Sequence, residues 1–470
     1  MSVAEIKAMG ERLANHLASK HGVKLKHTAI LETIAVQFGF KDWNTFRTTL
    51  NEEPASSRPP IAGSVATKGR ESGYLLGYDA EERYELTHED LRHNLLICGA
   101  PGSGISTVNQ TLWSQHVAAG GGLIYLNTGR EDSAEEGLRK AFTKAGRREE
   151  FHVLDFTGRG GSASFNPLTD ERASAEEVAR IALARHRGLP SDADFWYEAS
   201  QQFIKAMVVA LRAARRPVTF QTLWRLVQES EARTELIASL DFRSKAASEL
   251  QAIHSRIQES DRTASSILGL IAAALAPFTQ REVRDIFEGS HNPLCVRDLI
   301  RKQHGLYINL PVYSKDSVQL TIVKLVIMHI MLATSDIGQR FAGSDECPPF
   351  LIFLGDVGAY WTPDVDALFA TGPAANVSLV VTQQTLSQEV LGCRCAQTLM
   401  GQTWCKLFLR QEALEGAKLA SEVVGSDYRV RSNELSALRV SEYQFRRLDT
   451  GEGWCLKGPQ ATAIQVAQLQ

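Results

Sequence analysis

Leu95-Leu96-Ile97-Cys98-Gly99-Ala100-Pro101-Gly102-Ser103-Gly104-Ile105-Ser106-Thr107 is the stretch that decides the fold. Its first four residues are continuously apolar, too few for a helix, and closed by a glycine. That predicts a strand buried on both faces, as in a parallel sheet. From Ser106 to Ala119 the pattern turns helical. A strand that passes through a glycine-rich turn into a helix gathers backbone N–H groups and the positive end of the helix at one point. Such a point suits an anion.

Moving outward, Gly122-Leu123-Ile124-Tyr125-Leu126 and Phe151-His152-Val153-Leu154 predict the next strands, giving the rhythm of a βαβ sheet. Between about Asp170 and Ser290 apolar residues recur only at helical spacing. Phe203, Met207, Val208 and Leu211 mark one amphipathic helix, and Ile267, Leu268, Ile271 and Leu275 another. Strand signals resume at 306–310, 350–354, 378–381 and 404–408. The predicted organisation is an α/β domain over 73–169 and 291–470, interrupted by an all-helical insertion over 170–290.

Residues 1–50 predict a small helical unit. Ile6, Met9, Leu13 and Leu17 mark a first helix. Thr28 is a candidate cap for a second, carrying Ile30, Leu31, Ile34, Ala35 and Phe38 and ended by Gly39, and Asp42 for a third with Trp43 and Phe46 inward. The stretch from Ala29 to Phe46 resembles a small helical module found beside glyoxalase-related and other bacterial domains, which implies docking rather than catalysis. Residues 51–72, with Pro54, Pro59, Pro60, Gly63 and several serines, read as a linker.

The chain has 470 residues, enough for about three structural units. Its 51 Lys and Arg against 54 Asp and Glu give a net charge of −3. This excludes a histone-like or polybasic protein and leaves a local basic surface open. The 7 cysteines are scattered and odd in number, which favours a reducing compartment over a disulfide framework. No apolar run reaches the roughly 18 residues of a spanning helix. Met1-Ser2-Val3-Ala4-Glu5 lacks the regions of a signal peptide. The expectation is a cytoplasmic protein without direct membrane insertion.

Gly99 to Ser106 fits the phosphate-binding pattern GxxxxGK[ST] at every fixed position but one. Gly99, Gly102, Ser103, Gly104, Ile105, Ser106 and Thr107 are therefore the candidate nucleotide-binding residues, with the Ser106 hydroxyl placed for Mg²⁺. Ile105 stands where the pattern has lysine, the residue that neutralises the β- and γ-phosphates. It offers neither charge nor donor, so the backbone cradle is left to hold phosphate and hydrolysis is expected to be slow. A second departure ends the strand Phe350-Leu351-Ile352-Phe353-Leu354 in Gly355-Asp356. In intact motors an Asp-Glu pair stands there, one carboxylate supporting Mg²⁺ and the other polarising the attacking water. Asp356 sits at the second position, one methylene shorter, and is the candidate for both metal and catalysis. A third departure is Asn127-Thr128-Gly129-Arg130-Glu131 after the second strand.

These elements, in this order, resemble the conjugative coupling proteins of type IV secretion (TraG/TraD type), within the additional-strand P-loop ATPases of RecA-like fold. The resemblance spans about residues 73–460. His93-Asn94-Leu95-Leu96-Ile97-Cys98-Gly99 leads into the loop as in that family, and Phe165-Asn166-Pro167-Leu168 matches its Asn-Pro-Leu motif. Asp194-Phe195-Trp196 opens the insertion, Gly355-Asp356-Val357-Gly358 stands at its Asp-Glu-x-Gly, and Gln384-Thr385-Leu386-Ser387-Gln388 at its Gln-Ser-x-x-Gln. Arg447 to Gly453 resembles its last strand turn. Asn127 and Gly129 replace the family's Asp and Lys, and the small helical unit stands where the family has membrane helices. The resemblance implies ATP and Mg²⁺ as ligands, an oligomeric ring passing DNA or a nucleoprotein, Gln384 as sensor of the γ-phosphate or attacking water, and Arg410 as the finger a neighbour would supply. It also implies a secretion-type partner or protein cargo.

Other signals are weaker. Cys393-Arg394-Cys395 lacks a second ligand pair at zinc spacing. His152, His254 and His291 stand apart. Arg139, Lys140, Lys144, Arg147 and Arg148, and Arg212, Arg215 and Arg216, form basic clusters that solvated helix faces explain, although in a ring either would suit a phosphate backbone. No base-reading motif is present, so any DNA contact is expected to be sequence-independent. Three readings stay open. The lost charges favour a catalytically degenerate scaffold or substrate-docking subunit in conjugative DNA transfer or a related nucleic-acid-handling assembly. A second reading is an active ATP-driven hexameric translocase with a substitute for the lysine, Arg130 being one candidate. The third is a protein-interaction module without DNA contact.

Overall fold

The strands are β1 (Tyr74–Asp79), β2 (Glu82–Leu86), β3 (Leu95–Cys98), β4 (Leu123–Asn127), β5 (Phe151–Asp155), β6 (Gly305–Asn309), β7 (Phe350–Gly355), β8 (Val377–Gln383), β9 (Cys405–Phe408), β10 (Glu452–Lys457) and β11 (Gln460–Val466). They form an 11-stranded sheet in the order β2-β1-β11-β10-β9-β3-β8-β7-β4-β6-β5. This computed structural model describes residues 73–128, 133–157, 162–183, 194–259, 262–288, 293–310, 317–340, 348–386, 393–425 and 440–468. The chain divides into Met1–Arg70 and Glu71–Gln470. The predicted helical unit and linker over 1–72 lie outside the described residues, as do Gly129, Arg130, Glu131, His291, Ser387 and Gln388.

From β9 to β5 every pairing is parallel. The continuous apolar run of β3 follows from that position, because side chains alternate between two covered faces. Leu96 and Cys98 enter one hydrophobic core, and Leu95 and Ile97 the other. β8 lies between β3 and β7 and is the additional strand of this fold class. The fold is α/β and RecA-like.

The four antiparallel strands on the β9 side are not foreseen by the sequence reading. β2 and β11 are largely polar and half exposed, and β1 finds its partner near the far end of the chain, Gly77 opposite Val466.

Between β5 and β6 the described residues form eight α-helices and no strand. Phe220, Phe278 and Phe287 interlock there, with ring centroids 4.3, 5.2 and 5.4 Å apart. These helices share one core with the sheet. Asn166 of the Asn-Pro-Leu motif makes a turn by accepting from the Leu168 amide (3.0 Å) and ties it to the insertion by donating to the Val218 carbonyl (3.4 Å). Arg297, 3% exposed, pairs with Asp170 (2.8 Å) and Asp336 (2.5 Å), which fastens the insertion to the helix Ser317–Arg340.

Two expectations change in detail. The apolar runs near residues 267–275 and 322–332 lie in stretches long and apolar enough to cross a membrane, Arg262–Thr279 and Gln319–Ile337, and the second is 78% buried inside the protein. Both feed the core, with Ile267, Ile271 and Leu275 on one and Ile322 to Met328 on the other. Within the basic clusters, Arg147 and Arg212 are not simply solvated. Arg147 donates to the carbonyls of Val117, Gly121 and Gln303 at 3.1, 2.8 and 2.5 Å. Arg212 donates to those of Ala173 and Asp170 at 2.8 and 3.2 Å. Arg139 and Lys140 are paired with Glu135 and Glu136 on their own helix.

Candidate nucleotide site

Three neighbouring strand ends build the site. Gly99 leaves β3 with its amide on the Gln383 carbonyl of β8 (3.0 Å), and the Asp356 amide leaves β7 on the Thr382 carbonyl (3.0 Å). Strand register therefore delivers Gln384 and Asp356 side by side, facing the loop that follows β3. The Gln384 side-chain amide donates to the Asp356 carboxylate at 3.4 Å. Asp356 holds a left-handed backbone, φ 48°, a conformation Asp tolerates better than most residues. Loop and strand ends enclose a cleft of about 840 Å³, within the usual range of small-ligand sites.

The loop is fixed from outside. Gly102 (φ 74°) and Gly104 (φ 110°) take left-handed turns that glycine makes without steric cost. The carbonyl of Pro101 accepts from Arg410 Nη2 (3.4 Å), that of Gly102 from Thr450 Oγ1 (3.0 Å) and that of Ser103 from the Gly451 amide (2.9 Å). In a trans peptide N–H and C=O point in opposite directions, so the Gly104 amide is turned away from Gly451. The helix Ile105–Ala118 starts immediately after, its first bond running from the Val108 amide to the Gly104 carbonyl (3.0 Å). Its leading amides have no intrahelical acceptor, as at any helix start.

Every described sequence-predicted site residue except Arg410, which follows β9, falls on this loop or these strand ends. Gly102, Gly104, Ile105, Ser106, Thr107, Asp356 and Gln384 line the cleft. Gly99 and Ser103 lie behind it, Ser103 fully buried. Ile105 is half-buried and also packs on the core shared with Val108 and Leu112, so the lysine position has joined the apolar packing. Arg410, offered as a finger for a neighbour, rests on the loop of its own subunit. Gly355 leaves space: a Cβ there would lie 3.5 Å from Thr382 Oγ1 and 3.9 Å from Thr128 Oγ1, ordinary contact distances. Asn127 donates to Tyr307 Oη (2.8 Å) and Asn309 Oδ1 (3.2 Å), and Asn309 donates to Asp155 (3.2 Å). An amide at 127 thus bridges toward an existing carboxylate, where a second carboxylate would repel.

Sequence reasoning missed Thr450, Asn109 and Thr382, which also line the cleft. The only cue to Thr450 was the resemblance of its turn to the family's last strand turn.

The polar groups fit a nucleotide with its metal. Ser103 Oγ, Asn109 Oδ1, Gln383 Nε2 and Arg410 Nε are buried around the loop and cleft with no partner among the described residues, and buried polar atoms ordinarily have one. The Ser106 hydroxyl and the Asp356 carboxylate face the same cleft and are the hard oxygen donors Mg²⁺ takes, with phosphate completing its shell.

Residues 140–441 match the family described as Type IV secretory system Conjugative DNA transfer. The chain belongs to that family. The match starts beyond the phosphate loop, so the loop's assignment stands on its own geometry. Residues 1–74 match a second family, described as Glyoxalase superfamily protein. Among solved structures the chain is similar to the bacterial conjugative coupling protein TrwBdeltaN70, at 13% identity and TM-score 0.63, covering 85% of this chain and 91% of that one. The same figures hold for the plasmid coupling protein TrwB in complex with ADP and Mg²⁺. VirB4 of Thermoanaerobacter pseudethanolicus is similar at 14% identity and TM-score 0.50, covering 85% of this chain and 97% of that one. These likenesses are of fold. No curated protein matches the chain.

Proposed function

We propose that this family member is a nucleotide-binding subunit of the conjugative transfer machinery that holds a triphosphate with Mg²⁺ and turns it over slowly. It then works as a scaffold or substrate-docking partner rather than as a motor. One observation carries the reading. The Asp356–Gln384 pair faces an intact backbone cradle in which the lysine position is occupied by a core-packed isoleucine. The cradle and helix start suit phosphate, while the charge that lysine brings to phosphoryl transfer is missing. Ser106 and Asp356 would hold Mg²⁺, which, when bound, neutralises phosphate charge. Gln384 would then orient water or sense the γ-phosphate. The related TrwB structures with ADP and Mg²⁺, and with an ATP analogue, support the ligand class. DNA contact, in this reading, is through the phosphate backbone within an oligomeric ring in the cytoplasm, and the N-terminal unit docks a partner.

The test is ATP binding and turnover by the purified chain, with and without single- and double-stranded DNA, beside Ile105→Lys/Gly355→Asp. Binding with only slow turnover that DNA does not stimulate, and faster turnover in the double variant, is the expected result. DNA-stimulated turnover by the natural chain would make it a motor and end the scaffold reading.

A further inference from the structure

We propose that Arg410 supplies to the bound phosphates, from within the same subunit, the positive charge that Ile105 cannot. This rests on the reading of the cleft as a nucleotide site. Among the described residues no lysine or arginine lines that cleft, and its one formal charge is the Asp356 carboxylate. A triphosphate brings further negative charge into a partly enclosed space, where Coulomb repulsion is weakly screened. Mg²⁺ held by Ser106 and Asp356 would offset only part of that charge, so a protein cation in reach is also called for, and the structure holds one against the loop.

Its position follows from the sheet. β9 is the parallel neighbour of β3, with Phe408 opposite Cys98, so the chain leaving β9 runs alongside the loop leaving β3. The Ala100 amide donates to the Arg410 carbonyl at 2.8 Å. The guanidinium lies on the loop, with Nη2 donating to the Pro101 carbonyl at 3.4 Å and standing 3.8 Å from where a Cβ on Gly102 would be. Gly102 lines the cleft and carries no side chain to separate guanidinium from ligand.

The group also has capacity to spare. Arg410 Nε is buried without a partner among the described residues. Its nearest carboxylate among the described residues, Glu412, is 3.9 Å away and 68% exposed, a loose pair of the kind that contributes little. A guanidinium carries five donors in a planar fork that matches phosphate oxygens. Arginine on the outer rim thus does by reach what lysine at 105 does from the head of the helix.

The experiment measures displacement of a fluorescent ATP analogue by ATP, ADP and AMP. It uses the full chain at a dilution where sedimentation shows it monomeric, which removes any neighbour's contribution. Arg410→Ala is expected to weaken ATP at least tenfold, ADP less and AMP least, and Arg410→Lys to keep most of the affinity. Ile105→Lys added to Arg410→Ala is expected to restore it. Equal ATP affinity in Arg410→Ala and the natural chain, or an equal loss for all three nucleotides, overturns the proposal. If Arg410→Ala does not fold, Arg410→Gln against Arg410→Lys decides, since the two keep length and differ in charge. Failure of the natural chain to bind ATP under any condition instead overturns the nucleotide reading itself, which is a different result from binding that ignores Arg410.

Discussion

The Gln384 side-chain amide donates to the Asp356 carboxylate at 3.4 Å, joining the ends of β8 and β7 across the cleft from the phosphate loop. Both residues are placed by strand register rather than by any local motif. Their pairing makes the carboxylate the natural place for metal dependence to be read out.

Asp356→Asn keeps the shape and removes the charge. It is expected to weaken ATP in the presence of Mg²⁺ roughly tenfold, the scale of one charged hydrogen-bond contact, with little change in EDTA. Titrations in the two buffers check this; an equal effect in both would show that Asp356 does not serve the metal.

Gly355→Asp is expected to fold normally, with unfolding free energy within about 1 kcal/mol of the natural chain. The new Cβ meets Thr382 and Thr128 at 3.5 and 3.9 Å, without overlap. Urea denaturation measures it. A larger loss would mean that this strand end cannot take the family's acidic residue without rearrangement.

Thr450→Val removes the hydroxyl that donates to the Gly102 carbonyl. One such bond contributes about 1 kcal/mol net, so nucleotide affinity is expected to fall by up to about fivefold while the melting temperature barely moves. A change in stability with unchanged affinity would show that Thr450 braces the sheet and not the loop.

Arg297→Met removes the buried guanidinium that Asp170 and Asp336 share, leaving Asp170 with Arg172 alone of its two arginine partners. Breaking a buried pair in this way costs about 3–5 kcal/mol, readable as a shift of the urea midpoint. Asp170→Asn added to Arg297→Met is expected to recover part of the loss; no recovery would locate the cost in packing instead.

His116 gives the chain a pH dependence. Its Nε2 lies 3.0 Å from the Gly122 carbonyl and its Nδ1 3.0 Å from Tyr74 Oη. A carbonyl only accepts, so Nε2 carries the proton and the Tyr74 hydroxyl donates to Nδ1. Burial above all lowers the pKa of His116 to about 4, and that of fully buried His329 likewise to about 4. An unfolded histidine titrates near 6.5. Between those values the unfolded chain binds more protons, so stability is complete above about pH 6.5 and falls as pH drops toward 4. Thermal melts at constant ionic strength should show this decline, and a flat profile from pH 7 to 5 would contradict it.

The central sheet was legible because β3, β7 and β8 are short apolar runs bounded by glycine or polar turns, and a parallel strand buried on both faces has no other way to be written. The loop was legible from glycine spacing alone. β1, β2, β10 and β11 were not, since their outward residues are polar and their pairings join opposite ends of the unit, Gly77 with Val466 among them. The candidate site divides along the same line. Asp356 and Gln384 follow apolar strands and could be named in advance. The seat of Arg410 depends on which strand neighbours β3, and the role of Thr450 on a turn returning from far along the chain; neither is a local property of sequence. Arg147 and Arg212 looked like surface charge because a carbonyl acceptor leaves no mark in the sequence.

The outer brace of the phosphate loop has a mechanical consequence. Gly451 donates to the Ser103 carbonyl and accepts from the Val466 amide (2.8 Å), and the next residue, Ala467, donates to the Leu76 carbonyl (3.0 Å). Three backbone bonds in series therefore tie the loop to the first strand of the folded unit, with no side chain in the line of force. A loop that tightens on its ligand pulls on a stiff relay rather than on a slack tether. The antiparallel flank thus shares, through backbone bonds alone, any load placed on the loop.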